Sequence, residues 1–209
     1  MKYDIDKLFE EYHIRKNNAK LLIDQVKDII HTGTKKDNIK IHYIFNRIKE
    51  FDSFLGKVRR KGLNDPFNEV HDLIGFRIIC LYMEDIDKIG LLLREWFDIF
   101  DIENKVDEAS PKVFGYMASH YKAKLNDKDI INGIPKDYSF EIQIRTIAQD
   151  AWASISHHLF YKHETYLPAN LERDFYALSG LFYIADTHFL LLKKEQTELF
   201  LKEFKEKSE

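Results

Sequence analysis

Cysteine is almost absent from this chain. Its 209 residues hold one, Cys80, set in an apolar run. A disulfide framework is therefore excluded, and a reducing cytosol is the natural setting. With 4 prolines and 8 glycines, no stretch stands out as a domain linker, and there is no repeat or low-complexity tract. An excess of basic charge is also lacking: the net charge of −3 carries no global nucleic-acid signature. Uninterrupted apolar runs fall far short of a membrane span, and the first residues, MKYDIDKLFEEY, are mixed in charge without a signal-peptide core. The expectation is a soluble, cytoplasmic protein with no membrane partner. There is no P-loop and no Gly-x-Gly-x-x-Gly. His71-Asp72 is shared with metal-dependent phosphohydrolases, but the further spaced histidines and aspartates these need are missing. His157 and His158 are adjacent and would diverge on a helix, which excludes a shared zinc site. Cys80 has no surroundings that would activate a nucleophile.

What is present suits one compact domain with a substantial core. Hydrophobic residues make up 44% and charged residues 32%, with 16 Phe and 11 Tyr. Residues 4–31 have helical period, with Leu8, Tyr12, Ala19, Leu22, Val26 and Ile29 recurring. His31–Asn38 reads as a loop. Ile39–Lys49 alternates as a strand, and Asp52 or Ser53 is placed to cap a short helix through Arg60. Asp72–Met83 reads as a buried strand and Asp85–Phe97 as a helix. Strands are expected at 100–106, 116–125 and 138–144, and a helix over 146–161. Pro168 opens a long helix striped by Leu171, Phe175, Leu178, Phe182, Ala185, Phe189 and Leu192. This is an α+β pattern with a mixed central sheet flanked by helices.

Three segments break these patterns with charge. Arg47 and Lys49 share a strand face, and Ser53, Lys57 and Arg60 share a helix face. Cations converging on a helix N-terminus suit a triphosphate, although a basic helix face is often only solvated. Asp72 opens the buried strand, where a carboxylate can hold Mg²⁺. Arg77 sits inside that strand, which requires a partner: a stacked purine, or an ion pair with Asp72. Glu141, Gln143 and Arg145 alternate on one strand face, which serves either solvent or a metal and phosphate site. Tyr116 and His120, after Gly115, could face a base, or be ordinary strand residues.

Taken in order, RIKEFDSFLGKVRRKG (47–62), HDLIGFRIIC (71–80), FGYMASHY (114–121) and EIQIRTIAQDAWASISHHLFYK (141–162) resemble the synthetase domain of the RelA/SpoT family. The small single-domain alarmone synthetases are nearest in size. The resemblance covers about residues 40–165, within a single domain spanning 1–209 with flanking helices at 4–31 and 168–207. It implies a nucleotidyltransferase-like fold and a Mg²⁺-dependent pyrophosphokinase. Arg47 and Arg77 would sandwich the adenine of ATP, and Lys49, Ser53, Lys57 and Arg60 would hold its phosphates. Asp72 and Glu141 would be the catalytic, metal-holding carboxylates, with Glu141 also activating the attacking hydroxyl. Tyr116 would stack on the acceptor base, with His120, Gln143, Arg145, His157 and Lys162 on the acceptor side.

The chain departs from family members that use GTP or GDP. Where those carry basic residues around the Gly-Tyr pair, this sequence has Asp107, Glu108 and Met117, and Ser156 replaces an acid. That is more like the toxic branch of the family, some members of which modify the 3′-terminal adenosine of tRNA. On this reading tRNA is slightly favoured over a guanine nucleotide as acceptor. Arg15, Lys16, Lys20, Lys35 and Lys36 would offer an RNA surface, and an antitoxin becomes a candidate partner. The alternatives are a guanosine alarmone synthetase and a catalytically silent nucleotide-binding module. The C-terminal stripe is expected to pack on the domain, or else to form a homo-oligomer.

Overall fold

The computed structural model describes residues 3–104, 118–130, 133–161 and 168–207. Its elements run α1 (Ile5–Lys36), β1 (Ile41–Ile48), α2 (Phe51–Lys61), α3 (Pro66–Glu69), β2 (Ile74–Cys80), α4 (Met83–Trp96), β3 (Phe97–Asn104), β4 (Ser119–Leu125), β5 (Phe140–Thr146), α5 (Ile147–Ser156) and α6 (Ala169–Glu206). A π-helical turn, His157–Tyr161, follows α5. The expected α+β class and mixed sheet are present.

The strands form one sheet in the order β1-β2-β5-β4-β3. β2 and β5 are parallel at its centre, and the other neighbours are antiparallel. One face carries Phe76, Ile78, Phe140, Ile142 and Ile144 into a core with Val26 and Ile30 of α1 and Ile89 and Leu93 of α4. Burying each such side chain is worth about 1.5–3 kcal/mol. The alternate residues Arg77, Glu141, Gln143, Arg145, His120 and Lys122 therefore project from the opposite face. A one-residue slip would exchange the two sets, so the core fixes the polar face.

The loop expected at 31–38 is helical through Lys36. Gly33 packs so closely on Trp96 that a Cβ there would lie 2.1 Å from a ring carbon. The Thr34 hydroxyl donates to the Ile30 carbonyl at 2.7 Å. Here tertiary packing overrides residues that ordinarily favour turns. The cap of α2 is Glu50, not Asp52 or Ser53. A second apolar cluster fixes that start: Phe54 and Val58 of α2 meet Leu8 and Tyr12 of α1 and Phe67, Val70 and Leu73. Gly62, at φ 62°, closes α2 in the left-handed conformation that glycine adopts without penalty.

α6 differs from its expected packing. Within the stripe only Phe175 is buried, while Leu171, Leu178, Phe189 and Leu192 are 48–60% exposed. An 18-residue stretch within Arg173–Glu206 reaches a mean hydropathy of 1.3, enough to cross a membrane by length and composition alone. Its uninterrupted apolar runs stay short, as expected, because Ser179, Gly180, Asp186, Thr187 and His188 divide it. Asp186 of α6 is buried as well and accepts a 2.5 Å hydrogen bond from the Thr146 hydroxyl at the start of α5.

Candidate active site

The polar sheet face contains a cavity of about 180 Å³ lined by Phe45, Arg47, Asp72, Gly75, Phe76, Arg77, Glu141 and Gln143, with Asn46 beside them. Whole-ligand pockets span ~300–1,000 Å³, so this hollow suits one portion of a nucleotide with the rest on the open face. β-Strand register brings these residues together. Arg47 stands opposite Gly75 and Phe45 opposite Arg77 across β1 and β2. Gly75 neighbours Glu141, and Arg77 neighbours Gln143, across β2 and β5. Arg47 lies over the bare backbone of Gly75.

Asp72 stands in the turn before β2. Lys49 donates to its Oδ2 at 2.5 Å, and Lys57 Nζ approaches Oδ1 at 2.8 Å. The Lys57 approach is an ion pair without hydrogen-bond alignment, which leaves Oδ1 buried without a directed donor. Burial opposes the charge on Asp72, but the two lysines outweigh it and hold the carboxyl below its ordinary range. Lys49 is itself fixed by backbone bonds: its N–H donates to Leu73, and its carbonyl accepts from the Tyr12 hydroxyl at 3.0 Å. The packing of α1 thus sets the position of a cation in the site.

Glu141 is held on two sides. Gln143 Nε2 donates to its Oε1 at 2.7 Å, and His120 Nδ1 lies 3.5 Å from the same oxygen. Burial again works against the charge, yet His120 and Gln143 bring the carboxyl down to about 2. Gln143 in turn accepts from Arg145 at 2.9 Å. Arg145 also pairs with Asp150 at 3.5 Å, and Asp150 accepts from Arg77 at 2.9 Å. Burial, with Arg77 alongside, pushes the Arg145 guanidinium down to about 10, where it remains a cation at neutral pH. One connected chain therefore runs Arg77–Asp150–Arg145–Gln143–Glu141–His120.

The structure gathers Arg47, Asp72, Arg77, Glu141 and Gln143 in the cavity, with Lys49, Lys57, His120 and Arg145 bonded to its members. Ser53 and Arg60 are exposed on α2, outside the cavity lining. His157 is exposed at the end of α5. Tyr116 and Lys162, and the departures at Asp107, Glu108 and Met117, lie outside the described residues. The ion pair weighed between Asp72 and Arg77 is not formed: Asp72 takes the lysines, and the strand arginine finds Asp150. Asp150 was overlooked in the sequence. Its signal was position, one turn into the helix that follows Arg145.

Comparison with known proteins places these features in context. The model for the region found in RelA/SpoT proteins matches residues 46–166. GTP pyrophosphokinase YwaC of Bacillus subtilis (strain 168) is 30% identical over 178 residues, covering 83% of this chain and 81% of YwaC. GTP pyrophosphokinase YjbM of the same organism is 33% identical over 141 residues, covering 65% and 64%. Small alarmone synthetase 2 from Bacillus subtilis superposes with a TM-score of 0.73 at 27% identity, covering 90% of this chain and 98% of that one. Small alarmone synthetase 1, solved with its product pppGpp, gives 0.72 at 25% identity, covering 91% and 99%.

Proposed function

The chain belongs to the RelA/SpoT family and is a pyrophosphokinase, and from that premise we propose that it moves the β,γ-pyrophosphate of ATP onto the ribose 3′-OH of a guanine nucleotide. The observation that carries this reading is the pair of ionised carboxylates, Asp72 and Glu141, set in one cavity between Arg47 and Arg77. Relatives named GTP pyrophosphokinase support guanine as the acceptor base.

The donor side is the β1–β2 half of the sheet face. Arg47 and Arg77 would hold the adenine between their guanidinium planes. Lys49 and Lys57 now neutralise Asp72, and would turn to the triphosphate as it enters, with Ser53 and Arg60 further along α2. Asp72 and Glu141 fit Mg²⁺: both are anionic oxygen donors, and Asp72 Oδ1 is buried without an aligned donor. When bound, that ion would neutralise charge on the transferred phosphates. The acceptor 3′-oxygen bonds to the β-phosphorus as the bond from that phosphorus to the oxygen bridging the α-phosphate breaks. AMP leaves with the bridging oxygen, and the hydroxyl proton passes by way of Glu141 to solvent. Glu141 would both orient the hydroxyl and take its proton on the way out, as suits a loose phosphoryl-transfer transition state.

A second reading, transfer to the 3′-terminal adenosine of tRNA, draws on the acidic stretch at Asp107 and Glu108. An antitoxin partner would belong to that reading alone. Self-association draws on the exposed apolar residues of α6 and would be seen as a mass above one chain by light scattering. Labelled ATP incubated with Mg²⁺ and either GTP, GDP, GMP or bulk tRNA separates the acceptors. Label in a guanosine product is expected. Label in tRNA alone would reverse the choice, and label in neither would leave a silent binding module.

A further inference from the structure

α6 reaches toward the donor site through α5. Near its start, Phe175 stacks on Trp152 at 5.1 Å between ring centroids. Further along, Asp186 accepts from the Thr146 hydroxyl at 2.5 Å, and both side chains are buried. α6 therefore runs back along α5 and grips it at its N-cap and in its second turn, on either side of Asp150. Thr146 is the last residue of β5 and the cap of α5. Its hydroxyl accepts from the Gln149 backbone N–H at 3.0 Å, and the Gln149 side chain accepts from the Thr146 N–H at 3.0 Å. A hydroxyl has one proton and two lone pairs. The Asp186 oxygen takes the proton, which leaves the lone pairs aimed at the helix. Asp150, the next residue after Gln149, then meets Arg77.

We propose that Asp186 is a positioning residue for ATP: by holding the Thr146 hydroxyl it sets the start of α5, which aims Asp150 at Arg77. Asp186 itself lies outside the cavity lining. The role rests on the reading that Arg77 holds adenine. It needs an oxygen that accepts a hydrogen bond, not a charge, so an amide should serve in place of the carboxyl. The bland alternative is that the bond only fastens α6 to the domain. The two accounts differ in what they change. Fastening alters melting temperature; positioning alters the affinity for ATP and leaves the acceptor alone.

The test measures binding of an ATP analogue with a methylene bridge between the α- and β-phosphorus, by calorimetry with Mg²⁺ on the full chain, and KM for GTP beside it. Asp186→Leu should weaken the analogue about fivefold, the factor that one net hydrogen bond carries, with KM for GTP unmoved. Asp186→Asn should bind like the native protein. Should Asp186→Leu fold poorly, Thr146→Val, which removes both bonds at the hydroxyl, should weaken the analogue at least as much. On an Asp150→Ala background, Asp186→Leu should add no further loss, because residues in one network do not act additively. Native affinity in both Asp186→Leu and Thr146→Val would overturn the positioning role and leave the proposed function standing. Equal damage from Asp186→Asn and Asp186→Leu would overturn the role of the hydrogen bond, and a full further loss on the Asp150→Ala background would overturn the route through Asp150. Failure of the native protein to bind the analogue would overturn the proposed function and the positioning role together.

Discussion

Asp150→Asn is the most informative single change at the site, because Asp150 touches two arginines. It accepts from Arg77 at 2.9 Å and pairs with Arg145 at 3.5 Å. The side chains of Arg77, Asp150 and Arg145 are 29%, 20% and 13% exposed. Exposed ion pairs contribute about 0–1 kcal/mol, and breaking a fully buried pair costs about 3–5. This half-covered cluster falls between them, at about 1–3 kcal/mol. The amide retains an oxygen that can accept from Arg77 but removes the charge, so the lower half of that range applies. If Arg77 holds adenine, its loss of orientation should raise KM for ATP about tenfold, each ~1.4 kcal/mol being a factor of ten. The acceptor KM should move far less. Steady-state rates at varied ATP, with a thermal melt beside them, provide the assay. For a chain of this size each kcal/mol shifts the melting temperature by about 2–4 °C. A lowered melting temperature with KM for ATP unchanged would refute the reasoning, because the pair would then be structural only.

Three further outcomes are expected. Asp72→Asn and Glu141→Gln should each reduce pyrophosphate transfer by about a hundredfold or more, read as labelled product, and Asp72→Asn should also weaken ATP binding by calorimetry because Lys49 and Lys57 lose their anchor. Burial pushes the Asp186 carboxyl up to about 7 from 3.8, so the native state holds a proton that the unfolded chain releases across that window; stability should fall by a few kcal/mol as pH rises from about 4 to 7, and melts of Asp186→Asn should lack that slope. Gly33→Ala drives a methyl into Trp96 and should cost about 1–3 kcal/mol from overpacking, seen as a melting shift of about 2–12 °C at ~2–4 °C per kcal/mol.

Much of the donor side was legible because strand alternation is a strong signal. Glu141, Gln143 and Arg145 could be assigned to one face from sequence, and the register then set them beside Gly75 and Arg77. Which charges pair was not legible. Arg77 needed a counter-charge, and Asp72 was nearer in sequence, yet the partner is Asp150, 73 positions away. Sequence distance says little about contacts across a parallel strand pair. The same limit hid the bonds that Lys122 makes to Asp101 and Glu103, since residues of β3 and β4 become neighbours only through their antiparallel register. The helical extension through Gly33 and Thr34 was missed because local turn preference carries no information about Trp96. The exposed faces of α6 were left open between packing and association because period alone cannot say whether an apolar stripe has a surface to meet.

The order of the strands has a bearing on biogenesis. β5 comes last in the chain but sits in the middle of the sheet, between β2 and β4. Until it emerges from the ribosome, β1–β2 and β3–β4 are two separate antiparallel ribbons with no shared ladder. Arg47 and Arg77 belong to one ribbon, His120 and Lys122 to the other, and Glu141 to the strand that joins them. Non-local closure of this kind is slow compared with hairpin formation, and domains tend to fold from the N-terminus as they are made. A nascent chain halted before β5 should therefore be unable to spend ATP, however complete its donor ribbon.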